Sequence, residues 1–179
     1  MKQLITIACV ATLCVAGAYA QSIIPNLDAG TKQLSGSGSL DTDHPLGTEF
    51  QLQLGYGYFI ADNLELIVLG GILDNDEFTL YEIGGAVEYN FPTDVFDGRL
   101  VPHIGVAGLW AGGEVDDGPD NDTAVGRVFV GPKLFIDENV ALALEATFSF
   151  AADDIYVDED GKAEDTNFTT LFSIRYYFD

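Results

Sequence analysis

The sequence predicts an all-β protein, an eight-stranded antiparallel up-and-down barrel, and three observations predict it. Period-2 alternation of apolar with small or polar residues recurs from about residue 30 to residue 178, broken by Gly, Asp, Asn and Pro. No segment after residue 20 carries the 3.6-residue apolar stripe of a helix. The connections alternate in character, short on one side and long and acidic on the other.

The chain opens MKQLITIACVATLCVAGAYAQS, one Lys before a short apolar run and then Ala18-Tyr19-Ala20. That pattern is expected of a signal peptide over residues 1–20, because the small-x-small ending fits leader cleavage. The run is short for a bilayer-spanning helix, which needs about 20 predominantly apolar residues. Cys9 and Cys14 would leave with the leader, so the mature chain is expected to form no disulfide. Residues 21–29 read as a short lead-in, and 30–179 as the barrel.

Eight strands follow in order. Residues 30–40 are Ser/Gly-rich and the weakest candidate; in 48–59, Phe50, Leu52, Leu54, Tyr56 and Tyr58 share one face and Gln51, Gln53, Gly55 and Gly57 the other. Then come 64–72, 78–91, 99–111, 123–135, 140–151 and 167–178. Pro102 and Pro132 interrupt strands, where neither can donate to the ladder.

Residues 60–63 and 136–139 read as tight hairpin turns and 90–98 as a longer turn at the same end. The opposite end carries loops 41–46, 73–77, 112–122 and 152–166, which hold 17 of the 29 acidic residues and a single base, Lys162. A formal net charge of −22 repels phosphate backbones and excludes nucleic acid as a partner. Yet mean hydropathy is positive, at +0.17. Charge and apolar surface must therefore be segregated. Alternating strands of about ten residues with short turns at one end and long loops at the other are the pattern of a transmembrane β-barrel.

At these residues the sequence resembles the small outer-membrane barrels of the OmpA/OmpX-like kind. The resemblance spans roughly residues 30–178 and rests on the hairpin GYGYFIADNLEL (55–66), the acidic loops and the ending FSIRYYF (172–178). It implies termini in the periplasm and loops outside, a monomer in the outer membrane of a Gram-negative-type bacterium, and contact with membrane lipid and lipopolysaccharide. It also implies a C-terminal signal for the outer-membrane assembly machinery, made by Phe172, Ile174, Tyr176 and Phe178.

Periodicity alone does not choose between lipid outside and lipid inside, because a soluble lipocalin-like barrel inverts the two faces. Residue size chooses. The apolar face is large and aromatic, including Tyr89, Trp110 and Phe148, whereas the other is mostly Gly, Ala, Ser, Thr and Gln and too poor in charge to face water all round.

Parity then places Glu65, Glu82, Glu88 and Glu145 on the inner face with His103, Arg127, Lys133 and Arg175. Three of the six bases after the leader thus point inward. Eight strands leave an interior that side chains fill, so these charges must meet one another or incur the cost of an unpaired buried ion. Glu145 and Arg175, on neighbouring strands, are the expected contact.

Enzymatic function is not expected. An acyl hydrolase needs a His within reach of a Ser; His44 has no Ser nucleophile on its face and His103 lacks a His-x-Ser spacing. No resident cofactor is implied, and no phosphate loop or zinc spacing occurs. Asp116, Asp117, Asp120 and Asp122, and Asp153, Asp154, Asp158 and Asp160, are expected at most to hold Ca²⁺ or Mg²⁺ weakly, since hard cations take oxygen ligands but the EF-hand spacing fails here. The expected role is structural or surface-interacting through the loops. A narrow low-conductance pore and a soluble periplasmic binding barrel are the alternatives.

Overall fold

A computed structural model describes residues 23–44, 47–74, 78–115, 121–157 and 163–179. The leader therefore lies outside the described residues, as do Asp116, Asp117, Asp120, Asp158 and Asp160. The strands are β1 (Lys32–His44), β2 (Gly47–Ala61), β3 (Leu64–Asp74), β4 (Phe78–Asn90), β5 (Leu100–Val115), β6 (Asn121–Asp137), β7 (Val140–Ala151), β8 (Tyr156–Val157), β9 (Ala163–Glu164) and β10 (Thr166–Phe178). Eight of them close a barrel in the order β1-β10-β7-β6-β5-β4-β3-β2, while β8 and β9 form a separate two-stranded ribbon. All neighbours are antiparallel, so the up-and-down topology is the one the alternation predicts.

Residues 41–44, 73–74 and 112–115 continue their strands, and β6 begins at Asn121, so three of the four acidic loops are shorter than the sequence suggests. Ladder hydrogen bonds join backbone groups and so form irrespective of side-chain charge. The last loop carries the β8–β9 ribbon. Residues 23–31 precede β1. They cross the short-turned mouth, with Leu27 buried among Phe59, Val101, Phe135, Ala141 and Tyr177.

The tight turns have their own chemistry. Asn63 adopts φ 64°, a left-handed conformation that Asn tolerates better than most residues, and the register slips between Phe59 and Ala61 as the hairpin closes. A like slip lies between Phe135 and Asp137. Pro102 and Pro132 stand opposite each other across β5 and β6. The two absent donors thus fall at a single rung of the ladder.

The outer face is apolar. Leu54, Val68 and Ile83 are 60%, 63% and 65% exposed, and Tyr56, Trp110, Phe148, Phe172, Ile174 and Tyr176 are exposed beside them. Inside, Gln33, Glu65, Glu88, Asn90, His103 and Lys133 have no exposure at all. This is the inverse of a soluble barrel. The interior is not uniformly polar, however. Ile67, Leu69, Leu73, Leu80, Leu109 and Phe129 form an apolar layer towards the long-looped end, which the Gly, Ala, Ser and Gln of the other strands did not foretell.

Candidate functional site

The inward charges fall into two groups. In the lower one, Glu88 on β4 is the centre: its Oε1 accepts from Lys133 Nζ on β6, and its Oε2 accepts from Arg175 Nη1 on β10 at 2.8 Å. Lys133 also donates to Asn90 Oδ1 at 2.7 Å and to the Tyr177 hydroxyl at 3.2 Å. Arg175 donates from Nη2 to Glu145 Oε1 at 2.9 Å and from Nη1 to Gln33 Oε1 at 3.2 Å. Ser173 donates to the same Glu145 oxygen at 2.9 Å. Side chains from five strands, β1, β4, β6, β7 and β10, are therefore tied at one level.

The upper group is simpler. Arg127 Nη2 lies 2.9 Å from both oxygens of Glu82, and its Nε donates to Ser149 at 3.0 Å. A cavity of about 30 Å³ separates the groups, lined by Ser35, Gln53, Arg127, Glu145, Thr147 and Arg175 among others. It offers room for about two waters.

Strand pleat produces this assembly. Side chains at i and i+2 share a face, so Glu88 and Asn90 on β4, Lys133 and Phe135 on β6, and Ser173, Arg175 and Tyr177 on β10 all face inward. Gly57 makes space for one more: a Cβ there would overlap the Glu65 carboxylate lying over it.

Of the eight inward residues the sequence singles out, six join an ion pair at hydrogen-bonding distance: Glu82, Glu88, Arg127, Lys133, Glu145 and Arg175. Glu65 and His103 do not. Glu65 faces Glu88 across the ladder, and neither of its oxygens has a hydrogen-bond partner among the described residues. His103 Nε2 stands 3.9 Å from Glu88 Oε2, too far for a hydrogen bond, and its ring packs near Phe129. With neither of its nitrogens hydrogen-bonded among the described residues, His103 makes no nucleophile–base contact there. Asn90 and Gln33 are partners the sequence reading missed. Asn90 ends its strand beside a turn and reads as turn chemistry, and Gln33 lies in the weakest alternation. Inward parity was the available signal for both.

The network is capped at both ends. Above it, Ile155 packs against the apolar layer and Tyr156 is buried at the mouth. Burial raises the pKa of the Tyr156 phenol, and the Glu82 carboxylate adds to the rise while Arg127 opposes it. Below, Phe135 and Phe59 flank Tyr177 at 5.3 and 6.1 Å between ring centres, and Leu27 closes the layer. Phe172, Ile174 and Tyr176 face outward, and Phe178 stacks on Tyr176 with Lys32 Nζ 5.8 Å from its ring centre. Asp122, Asp153 and Asp154 are exposed. Among the described residues, no three carboxylates or imidazoles gather as metal ligands would.

Solved structures carry the same architecture. Neisserial surface protein A aligns with a TM-score of 0.61 at 19% identity, over 84% of this chain and 98% of that one. The fold is that of a small outer-membrane β-barrel. The N-terminal barrel domain of Pseudomonas aeruginosa OprF aligns at a TM-score of 0.56 and 14% identity, again over 84% of this chain and 98% of the other. No protein-family model matches the sequence, and no curated protein matches it either. At such identities the likeness is one of fold.

Proposed function

We propose that this protein is a closed, non-enzymatic barrel of the outer membrane of a Gram-negative-type bacterium, serving envelope integrity or surface interaction through its acidic loops. The observation that carries this reading is the filled interior. From the short-turned end upward come the Leu27 layer, the Glu88–Lys133–Arg175–Glu145 network, the Glu82–Arg127 pair with its apolar neighbours, and the Ile155–Tyr156 cap. An ion crossing it would have to part several buried ion pairs, and removing one partner from such a pair costs about 3–5 kcal/mol. An aromatic, apolar outer belt supports lipid and lipopolysaccharide as the surroundings. The outward Phe172, Ile174 and Tyr176 with Phe178, the last residue but one, support delivery by the outer-membrane assembly machinery. The exposed loop carboxylates fit weak bridging by Ca²⁺ or Mg²⁺ to anionic head groups rather than a tight site.

Fractionation and planar-bilayer recording test the reading together. The expected result is heat-modifiable gel migration, sedimentation with outer membranes, and no single-channel steps from the folded wild type. Recovery in the soluble periplasmic extract would overturn the membrane assignment, and discrete conductance steps would overturn the closed lumen in favour of a narrow pore.

A further inference from the structure

The turn between β4 and β5 is unlike the other two at its end of the barrel. Those are tight and end in Asp62-Asn63 and Asp137-Glu138-Asn139, whereas turn 91–98 reads FPTDVFDG and exposes Val95 at 49% and Phe96 at 56%. These apolar groups are held out, not left loose. Leu100 N donates to Val95 O at 3.3 Å, Arg99 N to Phe96 O at 3.2 Å, and the Thr93 hydroxyl to Leu100 O at 2.6 Å. Phe96 and Asp97 both sit in the left-handed region, at φ 52° and 55°. A bulky aromatic is rare there, and such backbone persists only where its surroundings over-determine it.

The turn is continuous with the lipid-facing belt. Phe91 packs edge-on against Tyr89, 4.9 Å between centres, and Phe91 N donates to Pro102 O at 2.8 Å. Tyr89 and Ile104, on the two strands that enter and leave the turn, are exposed belt residues. The hydrogen bonds to Leu100 tie the turn to the first residue of β5. We propose that turn 91–98 is a membrane-interface anchor, seating Val95 and Phe96 in the head-group boundary of the periplasmic leaflet. Asp94 and Asp97, both exposed, flank them. The occupant is lipid, because the patch extends a surface that already faces lipid. This inference rests on the outer-membrane reading of the barrel.

One experiment separates the two. The chain has a single Trp, Trp110, exposed on the belt. Wild type, and the variant Trp110→Phe/Phe96→Trp, are refolded into phosphatidylcholine vesicles whose acyl chains carry bromine either near the head group or at mid-chain. Wild-type emission must be quenched by brominated lipid; if it is not, the membrane reading fails and the anchor with it. If wild type is quenched, the anchor requires blue-shifted emission from Trp at position 96, quenched more strongly by bromine near the head group than at mid-chain. Emission at the wavelength of Trp in water, quenched by aqueous iodide and indifferent to bromine, overturns the anchor alone. Should that variant lose heat-modifiable migration, Trp110→Phe/Val95→Trp is read in the same way.

Discussion

Glu65 and Glu88 face each other across β3 and β4, both without exposure, yet only Glu88 holds cations. Like charges directly opposite on a ladder repel, and a buried carboxylate without hydrogen bonds retains its full desolvation cost. Replacing Glu65 by Met is therefore expected to leave stability unchanged or raise it by up to about 1–3 kcal/mol. Glu88→Met should cost about 3–5 kcal/mol, since it leaves Lys133 with the neutral acceptors of Asn90 and Tyr177 and takes from Arg175 one of its two carboxylates. Urea midpoints of the refolded barrel, read by gel migration, check both. Equal destabilisation by the two variants would refute the asymmetry.

A second expectation couples Gly57 to Glu65. Gly57→Ala places a methyl where the Glu65 carboxylate lies, and overpacking of this kind costs about 1–3 kcal/mol. In a Glu65→Ala background the same substitution should cost nothing measurable. The double-mutant cycle should show an interaction energy of the same order; strict additivity would mean that the two groups do not meet.

For Glu82 and Arg127 the singles and the double should differ in a particular order. Arg127→Met leaves Glu82 buried without its guanidinium, and Glu82→Gln leaves the guanidinium buried without its carboxylate. Each single should cost more than the double Glu82→Gln/Arg127→Met, because replacing a whole buried pair is often close to neutral. A double variant at the sum of the singles would argue that the pair carries no coupling.

Leu27→Ala removes a buried side chain from beneath Phe59, Phe135 and Tyr177. The expected loss is about 2–5 kcal/mol in unfolding free energy. Bilayer recordings of this variant should remain silent, since the Glu88 network lies above the cavity it opens. Steps appearing on loss of Leu27 alone would locate the seal at the mouth instead.

Much of this architecture is legible in sequence, for a physical reason. A pleated strand alternates its faces whatever surrounds it, so parity alone puts Glu145 inside beside Arg175, and the two lie 2.9 Å apart. What parity cannot give is height along the barrel. Glu65 and Glu88 share a face with Lys133 and Arg175, but stagger between strands decides that Glu88 takes both cations. Segments without periodicity were opaque as well. Leu27 sits in SIIPNLDAG and Ile155-Tyr156 in a run of acids, and neither stretch is long enough to display a face. Both became seals only because the mouths they cover had apolar rings to receive them.

The segment over the short-turned mouth has one more property, which concerns order in time. Asn26 N donates to Glu138 O, Asn63 N to Leu27 O, and Asn26 Nδ2 reaches Asp179 Oδ1 at 3.5 Å. Its partners belong to the β2–β3 hairpin, the β6–β7 hairpin and the chain end, which stand together only when the seam between β1 and β10 has been sewn. Until that moment Leu27 has no ring of aromatics to enter. Residues 23–31 thus act as a clasp, shut by the completed circle and open in every arc of it.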